Sequence, residues 1–302
     1  MAITAQMVKE LRESTAAGMM DCKKALTEAD GDMERAIDIL REKGLSKAAK
    51  KADRIAAEGL VTIKLNADNT VAAITEVNSE TDFVAKNEDF KVFVNDVTEM
   101  VLDADFADVA TLLAAQHKEG KALQDVLNDR IATIGEKLDV RRFEKVSTNG
   151  VISGYIHGGG KIGVLVVLDT DSKDEQVSKL GKDIAMQVAA MNPKYISRDD
   201  VDQEYIAHEK EVLTQQALNE GKPAEIVEKM VVGRLNKELK EVCLMDQVYV
   251  KDSELTISKL VASVEKSVGS SIKVSKVVRY EVGEGMEKRE ENFADEVAKQ
   301  LK

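Results

Sequence analysis

The spacing of apolar residues predicts a helical N-terminal region. Residues 1–44 carry apolar side chains at helical spacing, interrupted at Gly18 and Gly31, and this pattern predicts three short helices. Residues 45–57 predict a basic helical linker. A solvated helix face explains that short basic patch better than nucleic-acid binding does, because the rest of the chain is acidic. We therefore predict an N-terminal helical bundle and linker over residues 1–57.

Small polar residues and glycines mark the expected ends of these helices. Thr4, Asp21 and Asp32 are expected to cap the first, second and third helix, because their side-chain oxygens can accept backbone N–H groups. Gly44 is expected to end the third helix. The order of small and apolar residues in this region also resembles a ubiquitin-associated-type bundle. Bundles of this kind usually serve as docking modules.

Two adjacent methionines, Met19 and Met20, lie at the first corner of the predicted bundle. Methionine is flexible and polarisable, so it suits either an irregular core or an adaptable contact surface. Two neighbouring side chains cannot both point inward from a tight turn. We therefore expect at least one of them to be exposed, and exposure favours a contact with a partner.

After Gly59 the apolar pattern changes to a period of two, which is typical of strands. A hairpin, a polar connector and a helix follow one another, and the same order recurs at an offset of roughly ninety residues. The predicted strands are residues 60–65, 71–77, 150–157 and 162–168, and the predicted helices are residues 90–102, 120–137 and 184–191. The repeat predicts two duplicated α+β subdomains with antiparallel strands, over residues 58–141 and 142–282.

The C-terminal third of the chain adds helices to this plan. Residues 198–242 predict two helices joined at a Gly/Pro turn, an inserted antiparallel helical hairpin that would form a coiled coil. Self-association through this hairpin is left open. A further strand is predicted over residues 274–282. The last module, residues 283–302, contains an amphipathic helix at 292–301 that either packs on its own body or docks elsewhere.

Composition narrows the classes of function. The net charge of −12 argues against a broad nucleic-acid or anionic-membrane surface, so a protein partner with a basic or mixed face is favoured. The two cysteines, Cys22 and Cys243, are far apart and suggest neither a disulfide framework nor a zinc site. No secretory signal is recognised, and the longest strongly apolar run, residues 162–168, is too short to span a membrane. We expect a cytoplasmic protein.

The sequence gives no positive support for a known catalytic or cofactor-binding motif. Gly158, Gly160 and Gly163 match the spacing of a dinucleotide-binding motif, but they lie between two strands instead of between a strand and a helix. The three histidines lie in separate predicted elements without metal-binding spacing: His117, His157 and His208. We expect no catalytic residue, no cofactor and no metal. His157 ends a strand before a glycine turn, so it is either an ordinary strand-end residue or an outward-facing contact.

The connector over residues 81–86 differs from its counterpart in the repeat. It holds one large aromatic, Phe83, between an acidic residue and an apolar pair. On local pattern alone, Asp82 could cap the following helix and Phe83 could tuck beneath it. The second connector, residues 169–175, is polar and has no Phe. The architecture therefore does not require an aromatic at position 83, which favours a functional role.

Four stretches carry a resemblance to a known family. They are VKELR at 8–12 with GMMDCKKAL at 18–26, EVNSETDFVAK at 76–86, IHG to GVLV at 156–166, and VGEG at 282–285. Together they resemble the elongation factor Ts family, the bacterial guanine-nucleotide exchange factors of translation, along nearly the full length. The turn at 158–161 is richer in glycine than the family pattern.

The resemblance implies a protein partner, elongation factor Tu, which is a GTPase. A loop would insert beside the partner's nucleotide site and disturb its magnesium and phosphate-binding regions, with Phe83 wedged between partner side chains. The residues of that loop would be Thr81, Asp82, Phe83 and Val84.

The resemblance also implies a set of secondary contacts. Met19 and Met20 would touch the partner's nucleotide-binding domain, and His157 would touch another domain. The helical hairpin would be a coiled-coil protrusion, and the terminal helix would return to the nucleotide-binding domain.

Two rival functions remain beside nucleotide exchange. One is a ubiquitin-associated-type adaptor that docks a partner only through residues 1–44, and the other is an enzyme. A fragment of residues 1–57 that kept all affinity and activity would favour the adaptor, and turnover by the isolated chain would favour the enzyme. Neither rival needs Phe83.

Overall fold

A computed structural model describes residues 3–15, 17–221 and 223–287, apart from the side chains of residues 45–47, 224 and 225. The described chain mixes helices with antiparallel strands and so belongs to the predicted α+β class. It divides into two compact units. The first contains the described residues up to 62, those from 73 to 145 and those from 280 onward, and the second contains residues 63–72 and 146–279.

The first unit opens with three helices around a small apolar core. They are α1 (Ala5–Thr15), α2 (Met19–Glu28) and α3 (Met33–Ala49). Two predicted caps are present: the Met7 N–H donates to Thr4 Oγ1 at 3.2 Å, and the Arg35 N–H donates to Asp32 Oδ1 at 3.0 Å. The buried core side chains are Leu11, Cys22, Ala25, Leu26, Ala29, Ala36 and Ile39.

Two predicted boundaries in this region are wrong. Gly18 is the N-cap of α2, and Asp21 lies in the first turn of that helix. Gly44 does not end α3, which continues to its last residue at position 49. Gly44 is buried against the helix that contains Asp129 and Ala132, and a Cβ added to it would lie 3.8 Å from the Ala132 Cβ. Tertiary packing thus outweighs the weak helix propensity of glycine.

Further strands and helices enclose a larger core, and they lie in the first unit except for strand residues 63–65, 71–72 and 146–147, which belong to the second unit. In chain order they are β1 (Glu58–Leu65), β2 (Val71–Ser79), α4 (Asp82–Ala85), α5 (Glu88–Asp103), α6 (Val109–Ala114), α7 (Leu123–Ile134) and β3 (Leu138–Ser147). The strands form a sheet in the order β1-β2-β3. Phe90 and Phe93 on α5 are among its largest buried side chains. Neither β3 nor α6 was predicted from the apolar pattern.

A buried acid on β2, Glu76, connects two of the stretches that carry the family resemblance, residues 76–86 and residues 282–285. The Glu76 carboxylate accepts hydrogen bonds from Arg141 Nη1 at 2.9 Å, Arg142 Nε at 2.6 Å and the Gly283 N–H at 2.8 Å. Burial raises the pKa of Glu76, but these hydrogen bonds outweigh it and leave the pKa below its ordinary value. Gly283 has a φ of 71°, and an added Cβ would lie 2.3 Å from Ala57 O, so glycine is required there.

The second unit is a sheet covered by helices. Its elements are β4 (Val151–His157), β5 (Ile162–Asp169), α8 (Glu175–Met191), α9 (Gln203–Asn219), α10 (Ala224–Val242), β6 (Val248–Tyr249), β7 (Asp252–Thr256), α11 (Ile257–Val268) and β8 (Lys273–Glu281). β4 pairs antiparallel with β5, and the sheet order is β4-β5-β8. α8 lies on this sheet, and a Cβ added to Gly181 would come 2.3 Å from Ser153 Oγ. Only glycine permits that close approach.

The helices α9 and α10 pack side by side as a hairpin. The Tyr205 hydroxyl donates to Glu238 Oε1 at 2.7 Å, and Arg234 Nη2 donates to Glu220 Oε2 at 2.8 Å. These pairs place the start of α9 beside the end of α10, so the two helices run antiparallel. Their apolar contact residues are Leu213, Ala217, Val227, Val231, Leu235 and Leu239. The predicted terminal helix, 292–301, lies outside the described residues.

Candidate functional site

The connector after β2 forms a single helical turn, α4, before the long helix α5. Thr81 is the N-cap of α4, and its Oγ1 accepts the Val84 N–H at 3.4 Å. Asp82 is the first residue of that turn. Asn87 caps α5, and its Oδ1 accepts the Asp89 N–H at 2.8 Å. The interpretation of Asp82 as a cap is therefore wrong, because residues on either side of α4 perform the two capping roles.

Phe83 points away from the core. The residue is 81% exposed, whereas Phe90 and Phe93 on the next helix are fully buried. Val84 packs against the core and Ala85 is buried, so these two residues take the inward positions of the turn. A helix of one turn has no further inward position to offer. The interpretation that Phe83 tucks beneath its own helix is wrong.

Charged groups flank the exposed ring. Lys86 Nζ donates to Asp82 Oδ2 at 2.6 Å and lies 5.9 Å from the centroid of the Phe83 ring. This i,i+4 ion pair is exposed, so it contributes only about 0.3–0.5 kcal/mol to stability. The turn thus presents an aromatic tip with a carboxylate and an ammonium group beside it. A tip of this kind can contact both apolar and polar groups of another molecule.

A second segment of the chain holds the start of α4 in place. The Thr81 N–H donates to Glu136 Oε2 at 3.0 Å, and Thr81 Oγ1 donates to Glu136 Oε1 at 2.7 Å. In return, the Lys137 N–H donates to Glu80 Oε1 at 2.6 Å. The sequence alone does not single out Glu136. Its contact spans 55 positions of the chain, and its local pattern does not distinguish it from other acidic residues.

The two methionines lie at the start of α2, with Gly18 as the preceding cap. Met19 is 59% exposed and Met20 is 63% exposed. The inward positions of the helix belong instead to Cys22, Ala25 and Leu26. Both thioethers therefore lie on the surface of the first unit, where the sequence required only one to be exposed.

His157 ends β4 and is exposed at the tip of the β4–β5 hairpin. Its Nδ1 lies 3.1 Å from the Tyr155 hydroxyl. The turn that follows has three glycines with φ of 60°, 65° and 102°, a conformation that favours glycine at each position. His157 belongs to the second unit, whereas α2 and α4 belong to the first. The predicted contact residues thus occupy three separate elements.

Other chemistry is sparse in the part of the chain that the structure describes. No group of three or more His, Cys, Asp or Glu side chains in that part could hold a metal ion. Burial raises the pKa of the Cys22 and Cys243 thiols, so both are protonated at neutral pH. None of the described helices is both long and apolar enough to cross a membrane.

Comparison with known proteins places the chain among the translation elongation factors. The family model named Elongation factor TS matches residues 80–284, which is more than half of the chain. Elongation factor Ts of Clostridioides difficile strain 630 is 73% identical to this chain, and the proteins of that name from Clostridium novyi strain NT and Clostridium perfringens strain SM101 are 56% and 54% identical. Each match covers 98–99% of both sequences. The chain belongs to the elongation factor Ts family and serves translation elongation in protein biosynthesis.

Proposed function

We propose that the chain is a guanine-nucleotide exchange factor that binds the GDP form of elongation factor Tu and accelerates release of the nucleotide. The observation that carries this proposal is the 81% exposure of Phe83 on a turn that is anchored at both ends. Burying a Phe side chain is worth about 1.5–3 kcal/mol, so a fold gains nothing by leaving it in water. A surface aromatic held in this way suits insertion into a partner.

Nucleotide exchange needs no catalytic group on the exchange factor. The partner holds GDP through magnesium and through its phosphate-binding loop, and inserting Phe83 between partner side chains would shift both. If that shift weakens nucleotide binding by ~5 kcal/mol, release speeds up by between three and four powers of ten, at about 1.4 kcal/mol per tenfold. The Thr81–Val84 segment supplies the inserting element, and the chain itself carries out no chemical step.

Thermodynamic coupling makes such a factor reversible. A factor that weakens nucleotide binding is itself released when nucleotide rebinds, by the same coupling free energy. The factor must therefore contact the nucleotide-poor state of the partner better than the nucleotide-bound state. Phe83 supplies this differential contact, because its pocket would open only when the partner rearranges. Binding of GTP to the emptied partner would then displace the factor.

Secondary contacts would align the inserting loop. Met19 and Met20 would touch the nucleotide-binding domain of the partner, and His157 would touch a different domain. Flexible thioethers suit a surface that must adapt, and a large central aromatic surrounded by weaker contacts is the usual anatomy of an interface. The net charge of −12 favours a partner with a basic or mixed surface.

The test is release of labelled GDP from purified elongation factor Tu in the presence of magnesium and catalytic amounts of the chain. The native chain should accelerate release, and Phe83→Ala should lose most of that acceleration without a change in melting temperature. Val92→Ala is a matched control, because Val92 is another exposed apolar residue of the first unit, on α5. Normal exchange by Phe83→Ala would show that the inserting role of Phe83 is wrong.

An adaptor that docks only through its N-terminal bundle remains a second candidate, because Met19 and Met20 are both exposed there. In that case the double substitution Met19→Ala, Met20→Ala would abolish the effect on the partner, and Phe83→Ala would leave it intact. The exchange proposal expects the reverse ranking. An affinity measurement with purified partner, run beside the release assay, therefore separates the two functions, because an adaptor that only docks would bind without accelerating GDP release.

A further inference from the structure

At the base of α4, two segments that are distant in sequence are joined by the carboxylate of a glutamate from each segment. Glu136 accepts the Thr81 N–H at 3.0 Å and the Thr81 hydroxyl at 2.7 Å, and Glu80 accepts the Lys137 N–H at 2.6 Å. Each segment thus binds a backbone N–H of the other through an acidic side chain. We name these four residues, Glu80, Thr81, Glu136 and Lys137, the crossed clamp.

A third segment closes the crossed clamp from the side. Lys137 Nζ donates to Ala52 O at 2.7 Å and to Arg54 O at 3.0 Å. Arg54 Nη1 lies 3.3 Å from Glu80 Oε1, and the Glu80 side chain is largely buried. Hydrogen bonds to a carboxylate are shorter and stronger than neutral ones. The base of α4 is therefore fixed at several points by charged groups.

The geometry at Thr81 links the crossed clamp to the orientation of α4. The hydroxyl proton of Thr81 is donated to Glu136, so the lone pairs of Oγ1 remain available for the Val84 N–H at 3.4 Å. Gly135 ends α7 in a left-handed conformation, with a φ of 87°, and this turn directs the chain so that Glu136 reaches Thr81. Glu136 thereby sets the N-cap of the turn that carries Phe83.

We propose that Glu136 is a positioning residue for nucleotide exchange, which presents Phe83 in a single orientation. This inference rests on the proposed function of Phe83. Without the carboxylate, the turn would sample several orientations, and only a fraction of molecules could insert the ring. The apparent affinity for a partner falls in proportion to that fraction. Ordering the loop in advance lowers the entropy that is lost on binding.

The first test measures the crossed clamp without any partner. The chain contains no Trp, so Phe83→Trp places a single fluorophore at an exposed position that can accept the larger ring. Time-resolved anisotropy of the full chain then reports nanosecond motion of the turn. Adding Glu136→Ala should increase the amplitude of this motion, and adding Glu136→Gln should have an intermediate effect because the amide oxygen can still accept the Thr81 N–H. An unchanged amplitude in both variants would overturn the crossed clamp, whatever the function of Phe83.

The second test measures exchange with native Phe83. Glu136→Ala should raise the concentration of the chain needed for half-maximal GDP release by about tenfold, since only a minor fraction of molecules remains competent. The maximal rate at saturation should change much less. Glu88→Gln is a charge-matched control, because Glu88 is exposed at the start of α5 and its carboxylate pairs with the neighbouring Lys91. That control should stay within about twofold of the native chain, because an exposed ion pair contributes little.

Stability measurements separate positioning from a merely structural role. Glu136→Ala should lower the melting temperature by no more than about 4 °C. If it lowers the melting temperature further while Glu136→Gln behaves like the native chain in anisotropy and in exchange, the positioning role is overturned. The positioning role is also overturned if the turn becomes mobile but the concentration needed for half-maximal GDP release is unchanged. Loss of exchange in Phe83→Ala together with normal exchange in Glu136→Ala would refute this inference alone and leave the proposed function standing.

Discussion

Residues 80–87 and residues 170–174 both connect a hairpin strand to a long packed helix, and both end in a side chain that caps that helix. Asn87 accepts the Asp89 N–H at 2.8 Å, and Asp174 accepts the Gln176 N–H at 2.8 Å. In the first connector the helical turn α4 precedes the capping residue, whereas the second connector reaches its capping residue without a helical turn. The connection itself therefore requires only the cap, and α4 is an addition to it.

The contacts of the second connector show what a purely structural loop looks like in this chain. Lys173 Nζ donates to Gly150 O at 2.7 Å, and the Thr170 hydroxyl lies 3.3 Å from that of Ser270. These polar side chains bond back to their own unit. In the first connector the charged groups hold the base of the turn, and its aromatic tip stays in water. This contrast between the two connectors is the structural difference on which the proposed role of Phe83 rests.

The largest stability effect is expected at Glu76, on the strand that leads into the first connector. Glu76→Gln leaves Arg141 and Arg142 without their buried counter-charge. The free energy of unfolding should fall by about 2–4 kcal/mol, which is about 1 kcal/mol less than for a fully buried pair because the guanidinium groups are partly exposed. β5 has only apolar buried residues at 164–168 and no equivalent acid. Urea unfolding at neutral pH measures this effect, and a change below about 1 kcal/mol, the scale of an exposed pair, would show that the cluster is not a main support.

Acid should reduce the contribution of Glu76 selectively. Its pKa in the folded protein lies below the ordinary value, so its stabilisation is complete above about pH 4.3, the ordinary pKa of a Glu side chain. As the pH falls below that value, the unfolded chain binds a proton more readily than the folded protein, and stability is lost. The difference in stability between the native chain and Glu76→Gln should therefore narrow between pH 7 and about pH 3.5. A difference that is constant with pH would contradict this assignment.

The two caps should have equal and smaller effects. Asn87→Ala and Asp174→Ala each remove a side-chain acceptor from the first turn of a long helix, and each should cost about 1 kcal/mol of stability. Hydrogen exchange of the first-turn amides of α5 and α8 measures each cap locally. A much larger cost at Asn87 alone would mean that α4 supports the core, which would break the comparison between the two connectors.

The hydrophobic pattern predicted the elements of both units better than it predicted their ends. The strands of the two β-hairpins lie where the alternating apolar pattern predicts them, and the helices α9 and α10 lie where helical spacing predicts them. The strand β3 was missed because Arg141 and Arg142 interrupt its apolar alternation. Both arginines form ion pairs with Glu76, which lies 65 positions before Arg141. The local pattern of apolar residues carries no information about an ion pair between residues so far apart in the sequence.

The candidate site was predicted in part. The missing aromatic in the second connector singled out Phe83, but only packing shows that Val84 and Ala85 occupy the inward positions. Thr81 and Asp82 are both suitable caps, and the sequence does not decide between neighbours. Glu136 had no signal in the sequence, because its role depends on the turn at Gly135 and on a contact across the fold.

The most direct test of the account is the rate of GDP release from elongation factor Tu at a saturating concentration of the chain. At saturation, differences in affinity no longer matter, and the rate reports how strongly the bound factor destabilises the nucleotide. With Phe83→Ala, GDP release from the partner should be at least about 30-fold slower than with the native chain. This is the loss expected when a contact worth ~2 kcal/mol is removed. Equal rates for the two proteins at saturation would contradict the account.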